Sequence, residues 1–220
     1  MAQSLTGGGF YPMENPDGSF YAATGEAYLR AVEGHLSKDG EGIGVYPLME
    51  AHGPEGALEG FTVWWGCVDW DEGRHESFVH AKNVHEVLAQ IGIKGWVERS
   101  RSKGFHLWVF FTEPLAARIV RDGLIGACNV VGAPTKEVNP KQISLVGKKI
   151  GNGMRLPYPA LREPGQHEML NPKAIYSQIP LADTFVASAL QTRITGEQWE
   201  AAVVLYKGNE PAPVRRASYS

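Results

Sequence analysis

The stretch that most restricts the fold is Phe61–Asp71, FTVWWGCVDWD. Its unbroken apolar run of β-branched and aromatic residues predicts a buried strand. The run stops at two carboxylates, Asp69 and Asp71, with Trp70 between them. Strand side chains alternate, so the two acids share one face and Trp70 points into the opposite core. Two carboxylates that close repel, and each raises the other's pKa unless a cation stands between them. Oxygen ligands of this kind suit Mg²⁺ or Mn²⁺. Taken alone, the pair also fits a strand that has simply ended in a polar Asp-Glu-Gly turn.

The flanking sequence sets the class. Residues 1–25 are rich in Gly, Pro and Asn and predict an irregular arm. Thr24 is a candidate cap for a helix over about 25–37. GIGVYPLME predicts a short strand. AKNVHEVLAQIG is a helix with Val84, Val87, Leu88 and Ile91 on one face and Gly92 at its end. GWVERS and FHLWVFF predict two strands joined by the tight turn RSKG. PLAARIVRDGLIGACNVV reads as largely helical, KEVNP as a brief strand, and TGEQWEAAVVLY as a helix with a capping-box start. A strand–helix–hairpin–helix–strand centre predicts an α+β (mixed α/β) chain, with a mainly antiparallel sheet packed on helices.

The hairpin carries a second chemical signal. In Ser100–Phe111, a Ser-Lys-Gly turn can offer hydroxyl, ammonium and backbone N–H groups to one anion. His106 opens the next strand and shares a face with Trp108 and Phe110. That pattern fits a core histidine and also fits a donor to a phosphate oxygen. A third acid, Glu137, sits in the extended run KEVNPKQ. It reads either as an edge-strand Glu among the solvated Lys136 and Lys141, or as the third carboxylate of a two-metal site. In GNGMRLPY, Gly151 and Gly153 permit close backbone approach, and Arg155 follows them. Arg155 fits a surface hairpin arginine or a bidentate phosphate ligand. His75, His80 and His85 recur at a spacing of five, which aligns on neither a helix nor a strand, so no metal site is read there.

Taken together, VDWDE…RSKGFHLWVFF…KEVNPKQ…GNGMRLPY resembles the archaeo-eukaryotic primase superfamily. The likeness is nearest to primase–polymerases of phages, plasmids and CRISPR-associated or conflict-system operons, and it covers about residues 60–165. Asp69 and Asp71 match the superfamily's acid pair. Ser102, Lys103 and His106 match the form of its hairpin motif found in the polymerase domains of bacterial end-joining ligases. Glu137 stands where the superfamily usually has a single Asp. The resemblance implies a two-lobed catalytic core with the site in a cleft. The expected division is an α/β lobe over 1–92 bearing the acid pair, an RRM-like lobe over 93–170 and a helical extension over 171–220. It further implies two Mg²⁺ or Mn²⁺ ions on Asp69, Asp71 and Glu137. His106 would join these acids in catalysis. A nucleoside triphosphate would be held by Ser102, Lys103, His106, Lys141, Asn152 and Arg155. Expected partners are a single-stranded DNA template and primer, with helicase or other replisome, CRISPR or phage proteins. The implied activity is template-dependent nucleotidyl transfer, making primers or DNA and RNA strands. Two competing readings are a metal-dependent phosphodiesterase or nuclease using the same acids, and a non-catalytic single-strand-binding accessory module.

Bulk properties agree with these readings. A net charge of −3 argues against a generic nucleic-acid coat. Positive charge is instead gathered in two places. One is Lys136, Lys141, Lys148, Lys149, Arg155 and Arg162, with Glu137 the only acid among them. The other is Lys94, Arg99, Arg101 and Lys103, beside Glu98. Such clustering predicts a local anion site. Cys67 and Cys128 each lie in apolar runs and form neither a disulfide framework nor a zinc knuckle. With no signal-peptide pattern at the start and no run of about 18 apolar residues, a cytoplasmic, non-membrane chain is expected.

Overall fold

The computed structural model describes residues 11–14, 20–23, 26–37, 42–147, 151–159, 164–181 and 184–207. In chain order the elements are β1 (Tyr11–Glu14), β2 (Phe20–Ala23), α1 (Glu26–His35), β3 (Gly44–Val45), β4 (Met49–His52), β5 (Leu58–Trp70) and α2 (Arg74–Gln90). There follow β6 (Trp96–Arg99), β7 (Phe105–Ala116), α3 (Ala117–Val130), β8 (Val138–Asn139), β9 (Met154–Arg155), β10 (Glu168–Met169), α4 (Phe185–Gln191) and α5 (Gly196–Lys207). The mixed α/β class is as expected. The region read as an irregular arm contains the β1–β2 hairpin. The expected cap Thr24 and the basic residues Lys148, Lys149 and Arg162 lie outside the described residues.

The main sheet runs β10-β6-β7-β5-β4, with β8 also pairing β5, and every pairing within it is antiparallel. Its central part, β5-α2-β6-β7-α3-β8 with strands ordered β8-β5-β7-β6, is the split βαβ arrangement of RRM-like folds. The strand bearing the acid pair is therefore the first strand of this unit. The division expected at 92/93 runs through a continuous sheet, because β5 pairs with β7 from Trp65↔Phe110 through Trp70↔Phe105. The period of the sequence marks strands but says nothing about which strand each one pairs with.

The two faces of the sheet differ. Val68 and Trp70 of β5, Val97 of β6, and Phe105, Leu107, Val109 and Phe111 of β7 point to one side. Three helices cover that side: α2 through Phe78, Ala81, Val84 and Leu88, α3 through Val120, Leu124 and Ala127, and α5 through Trp199 and Val203. Burying each large side chain here contributes a few kcal/mol at about 25 cal/mol per Å². α5 belongs to this core. Its capping box forms as expected: Thr195 Oγ1 accepts from Gln198 N–H at 3.2 Å, and Gln198 Oε1 accepts from Thr195 N–H at 2.9 Å. Trp199 packs edge-on against Phe111, with ring centroids 5.3 Å apart. The helices approach closely at Gly123 of α3, where a Cβ would stand 2.7 Å from the Trp199 ring.

The opposite face carries Trp65 and Cys67 of β5, Trp96 of β6, Trp108 of β7 and Met169 of β10. It is capped by Phe185 of α4 and by the β3–β9 ribbon through Val45 and Met154. Both cysteines are buried and unpaired, and burial pushes the Cys67 thiol well up. Among the described residues no helix is long and apolar enough to cross a membrane.

Candidate active site

At the end of β5 the aromatic face turns polar. Register places Asp69 beside His106 of β7, and His106 beside Glu98 of β6. On the other edge of β5, Asp69 N–H donates to the Glu137 carbonyl at 3.1 Å, continuing the β5–β8 pairing. Glu98, His106, Asp69 and Glu137 thus form one row across four strands. Because Asp69 bonds its backbone toward Glu137, its pairing with His106 is the non-hydrogen-bonded kind, with Cα atoms about 4.5 Å apart and side chains close.

The next row toward the turn is Ser100, Gly104 and Asp71. Ser100 N–H donates to the Gly104 carbonyl at 3.0 Å. A Cβ at Gly104 would meet the Trp70 carbonyl at 2.7 Å, Ser100 Oγ at 2.8 Å and Asp71 Oδ1 at 3.1 Å. The missing side chain lets Ser100 and Asp71 lean over the hairpin from either side. The expected sharing of a face by Asp69 and Asp71, with Trp70 in the opposite core, is what the alternation produces. Trp70 is fully buried and its indole N–H donates to the Pro134 carbonyl at 3.0 Å.

His106 bridges two carboxylates. Its Nδ1 lies 2.9 Å from Glu98 Oε2, and its Nε2 lies 3.4 Å from Asp69 Oδ1. Burial by itself disfavours the imidazolium, but the Glu98 charge and the bond to Asp69 outweigh it and push the pKa to about 10. Burial likewise pushes the Glu98 carboxyl up. The His106 charge, hydrogen bonds from His106 and Trp108, and the neighbouring His167 reverse that and hold it at about 2. Both groups are therefore charged near neutrality.

The remaining expected residues are placed as follows. Ser102 and Lys103 are exposed at the tip of the β6–β7 hairpin, at the same end as the exposed Asp71. Glu137 is ion-paired with Lys141. Asn152 is exposed, accepts from the Gln142 amide, and donates its backbone N–H to Gln142 Oε1 at 3.0 Å. Arg155 is half-buried on β9, in the separate β3–β9 ribbon, outside the row. Arg99, expected in the anion-binding cluster, is turned away, donating to the Gly165 carbonyl at 3.3 Å and the Gln178 carbonyl at 3.2 Å. Lys94 lies over the Trp96 ring, 5.0 Å from its centroid. Arg101 and Lys103 are the exposed members of that cluster.

Among the described residues, no three His, Cys, Asp or Glu side chains converge closely enough to hold an ion. Asp69 is turned to His106, and Glu137 is turned to Lys141. By donor type, though not by convergence, the acids suit a divalent ion. Asp69 of β5 and Glu137, the residue before β8, are neighbours through the bond from Asp69 N–H to the Glu137 carbonyl. Their side chains are 31% and 35% exposed. Three oxygen donors of this kind match Mg²⁺ or Mn²⁺.

Glu98 and His167 are members of the site that sequence reasoning missed. Glu98 had a usable signal. In an antiparallel hairpin closed at Ser100 and Gly104, residue 98 must oppose residue 106. His167 had none, because it arrives from a separate segment.

The sequence model of the family described as "TOTE conflict system, Archaeo-Eukaryotic Primase domain" matches residues 24–167. No curated protein matches the chain. Among solved structures, the polymerase domain of Mycobacterium tuberculosis Ligase D in complex with DNA is 17% identical with a TM-score of 0.48, covering 91% of this chain and 87% of that one. The primase–polymerase AEP domain of cyanophage S-2L is 14% identical with a TM-score of 0.38, covering 78% and 88% respectively.

Proposed function

Because the chain belongs to the archaeo-eukaryotic primase domain family of TOTE conflict systems, a family whose primase–polymerases are nucleotidyltransferases, we propose that it is a template-dependent primase–polymerase. The observation that carries this reading is the row Glu98–His106–Asp69–Glu137, with Asp71 one step toward an exposed Ser-Lys hairpin tip. It puts acids and a cationic donor set at one end of one sheet, as nucleotidyl transfer from a triphosphate requires.

In this reading Asp69, Asp71 and Glu137 hold Mg²⁺ or Mn²⁺. When bound, such ions favour deprotonation of an attacking 3′-hydroxyl and offset charge on departing pyrophosphate. His106 Nε2, on the open side of the ring beside Asp69, would donate to a phosphate oxygen. Ser102 and Lys103 close on the triphosphate from the hairpin tip, with Lys141, Asn152 and Arg155 approaching from the segment after β8. Donors aimed at developing charge stabilise the transition state, so loss of one lowers kcat on the order of 10²–10³-fold. Single-stranded DNA template and primer, held mainly through phosphates, bind more weakly as salt rises.

The test supplies a single-stranded template, labelled dNTPs or NTPs and Mn²⁺, with and without an annealed primer. It compares wild type with Asp69→Ala/Asp71→Ala. The expected outcome is product from wild type alone. Equal product from both proteins removes the polymerase reading built on these acids; no product from either leaves a non-catalytic single-strand binder, in which the pairing of Asp69 and Glu137 with cations is the resting arrangement. Template shortening that depends on Asp69 indicates a nuclease instead.

A further inference from the structure

We propose that Glu98 is the positioning residue of this site: its buried carboxylate fixes the ring of His106 so that Nε2 faces Asp69 and the open end of the row. Glu98 is fully buried in β6. One oxygen, Oε2, accepts from His106 Nδ1 at 2.9 Å and from Trp108 Nε1 at 2.7 Å. Trp108 cannot yield, because it is buried between Trp65, 5.2 Å away by ring centroid, and Phe110, stacked at 6.2 Å. The indole therefore anchors the carboxylate, and the carboxylate anchors the imidazole. On the far side of the His106 ring, among the described residues, the polar neighbour is Asp69 at 3.4 Å, too long to set the ring's orientation alone.

The second carboxylate oxygen extends the link. Oε1 faces Nδ1 of the buried His167 at 3.4 Å, and among the described residues neither atom makes a hydrogen bond, so this contact is what each has. His167 holds a left-handed backbone, φ 52°, which is uncommon for a residue other than glycine. Its segment is tied down by Tyr158 N–H donating to the His167 carbonyl at 2.8 Å. A buried carboxylate is costly unless it is fully paired. If position 98 served packing alone, leucine would fill it more simply. What the acid adds is a directed acceptor, and the ring it directs lies beside an acid of the proposed site.

The activity arm of the test rests on the polymerase reading; the spectroscopic arm does not. Glu98→Gln retains a side-chain oxygen that can accept from both His106 and Trp108, whereas Glu98→Leu keeps the bulk and removes the acceptor. In primer extension, Glu98→Leu is expected to raise KM for the nucleoside triphosphate about 10–100-fold, with Glu98→Gln within about threefold of wild type. A folded Glu98→Leu with wild-type KM, or a Glu98→Gln no better than leucine, overturns the proposal. Should the leucine variant fail to fold, ¹⁵N-histidine NMR of the metal-free wild type and Glu98→Gln decides. A slowly exchanging proton on His106 Nδ1 in both, assigned by its loss in His106→Asn, is expected; its absence in wild type overturns the proposal. Should wild type make no product, the polymerase reading falls while the NMR result still settles the role of Glu98.

Discussion

The two faces of the main sheet are made by alternate residues of the same three strands, yet they obey different rules. On the helix side, Val68, Val97 and Leu107 meet apolar side chains of α2, α3 and α5, and each could be exchanged for another hydrophobe of similar volume at modest cost. On the other side the neighbouring residues Asp69, Glu98 and His106 form a chain in which each charge is tolerated only because the next one is there. The helix face is held by area removed from water throughout, whereas the other passes from an aromatic cluster to a polar end held by directed bonds. Stability is therefore spread over many interchangeable contacts, while the site depends on a few that are not interchangeable.

Adjacent substitutions on β7 separate the two rules most sharply. Leu107→Ala empties a fully buried position in the helix-side core. It should destabilise the fold by about 2–5 kcal/mol in urea unfolding while leaving KM of the folded fraction near wild type. His106→Asn, one residue earlier, also costs stability, because the buried Glu98 carboxylate loses its charged partner; unlike Leu107→Ala it should lower primer extension by the folded fraction on the order of 10²-fold. A His106→Asn protein with full activity would show that the polar row is only another piece of core.

A smaller effect is expected at the seam between the faces. Gly104→Ala pushes a methyl to 2.7 Å from the Trp70 carbonyl, a backbone atom with little freedom to move. The expected cost is about 1–3 kcal/mol in unfolding free energy. Activity should fall further than stability does, because Asp71 and the Ser-Lys tip shift together. Wild-type activity in this variant would detach the hairpin tip from the site.

The mildest lever is pH, read as thermal stability of the metal-free protein. Glu98 is held below its ordinary 4.5, so its contribution is complete above that value and is lost as pH falls toward about 2. His106 is raised above its ordinary 6.5, so its contribution is complete below that value and is lost as pH rises toward about 10. The groups facing this pair are Asp69 from β5 and His167 from the segment before β10. Their joint contribution is greatest between about pH 4.5 and 6.5. The alkaline limb should flatten in His106→Asn, and an unchanged limb would assign it to other groups.

Much of this molecule was legible in its residues. The apolar run ending at Asp69 and Asp71, the hairpin about RSKG, the capping box at Thr195 and the shared face of His106, Trp108 and Phe110 all follow from local rules: alternation, turn chemistry and capping. These act over a few residues, so the chain states them directly. The family likeness was carried by the same short motifs. Local rules also pointed astray where contacts were distant. Arg99 and Glu98 read as neighbours in a basic cluster forming a local anion site, but one is turned to the carbonyls of Gly165 and Gln178 and the other is buried beneath His106.

What tertiary structure alone decided is the row itself. Residues 98, 106, 69 and 137 meet because β7 and β8 take opposite edges of β5, and His167 joins because its segment returns beside β6. Pairing between distant strands is chosen by the whole sheet burying one face under its helices. A period of two shows which way a side chain points, but not which chain segment lies across from it.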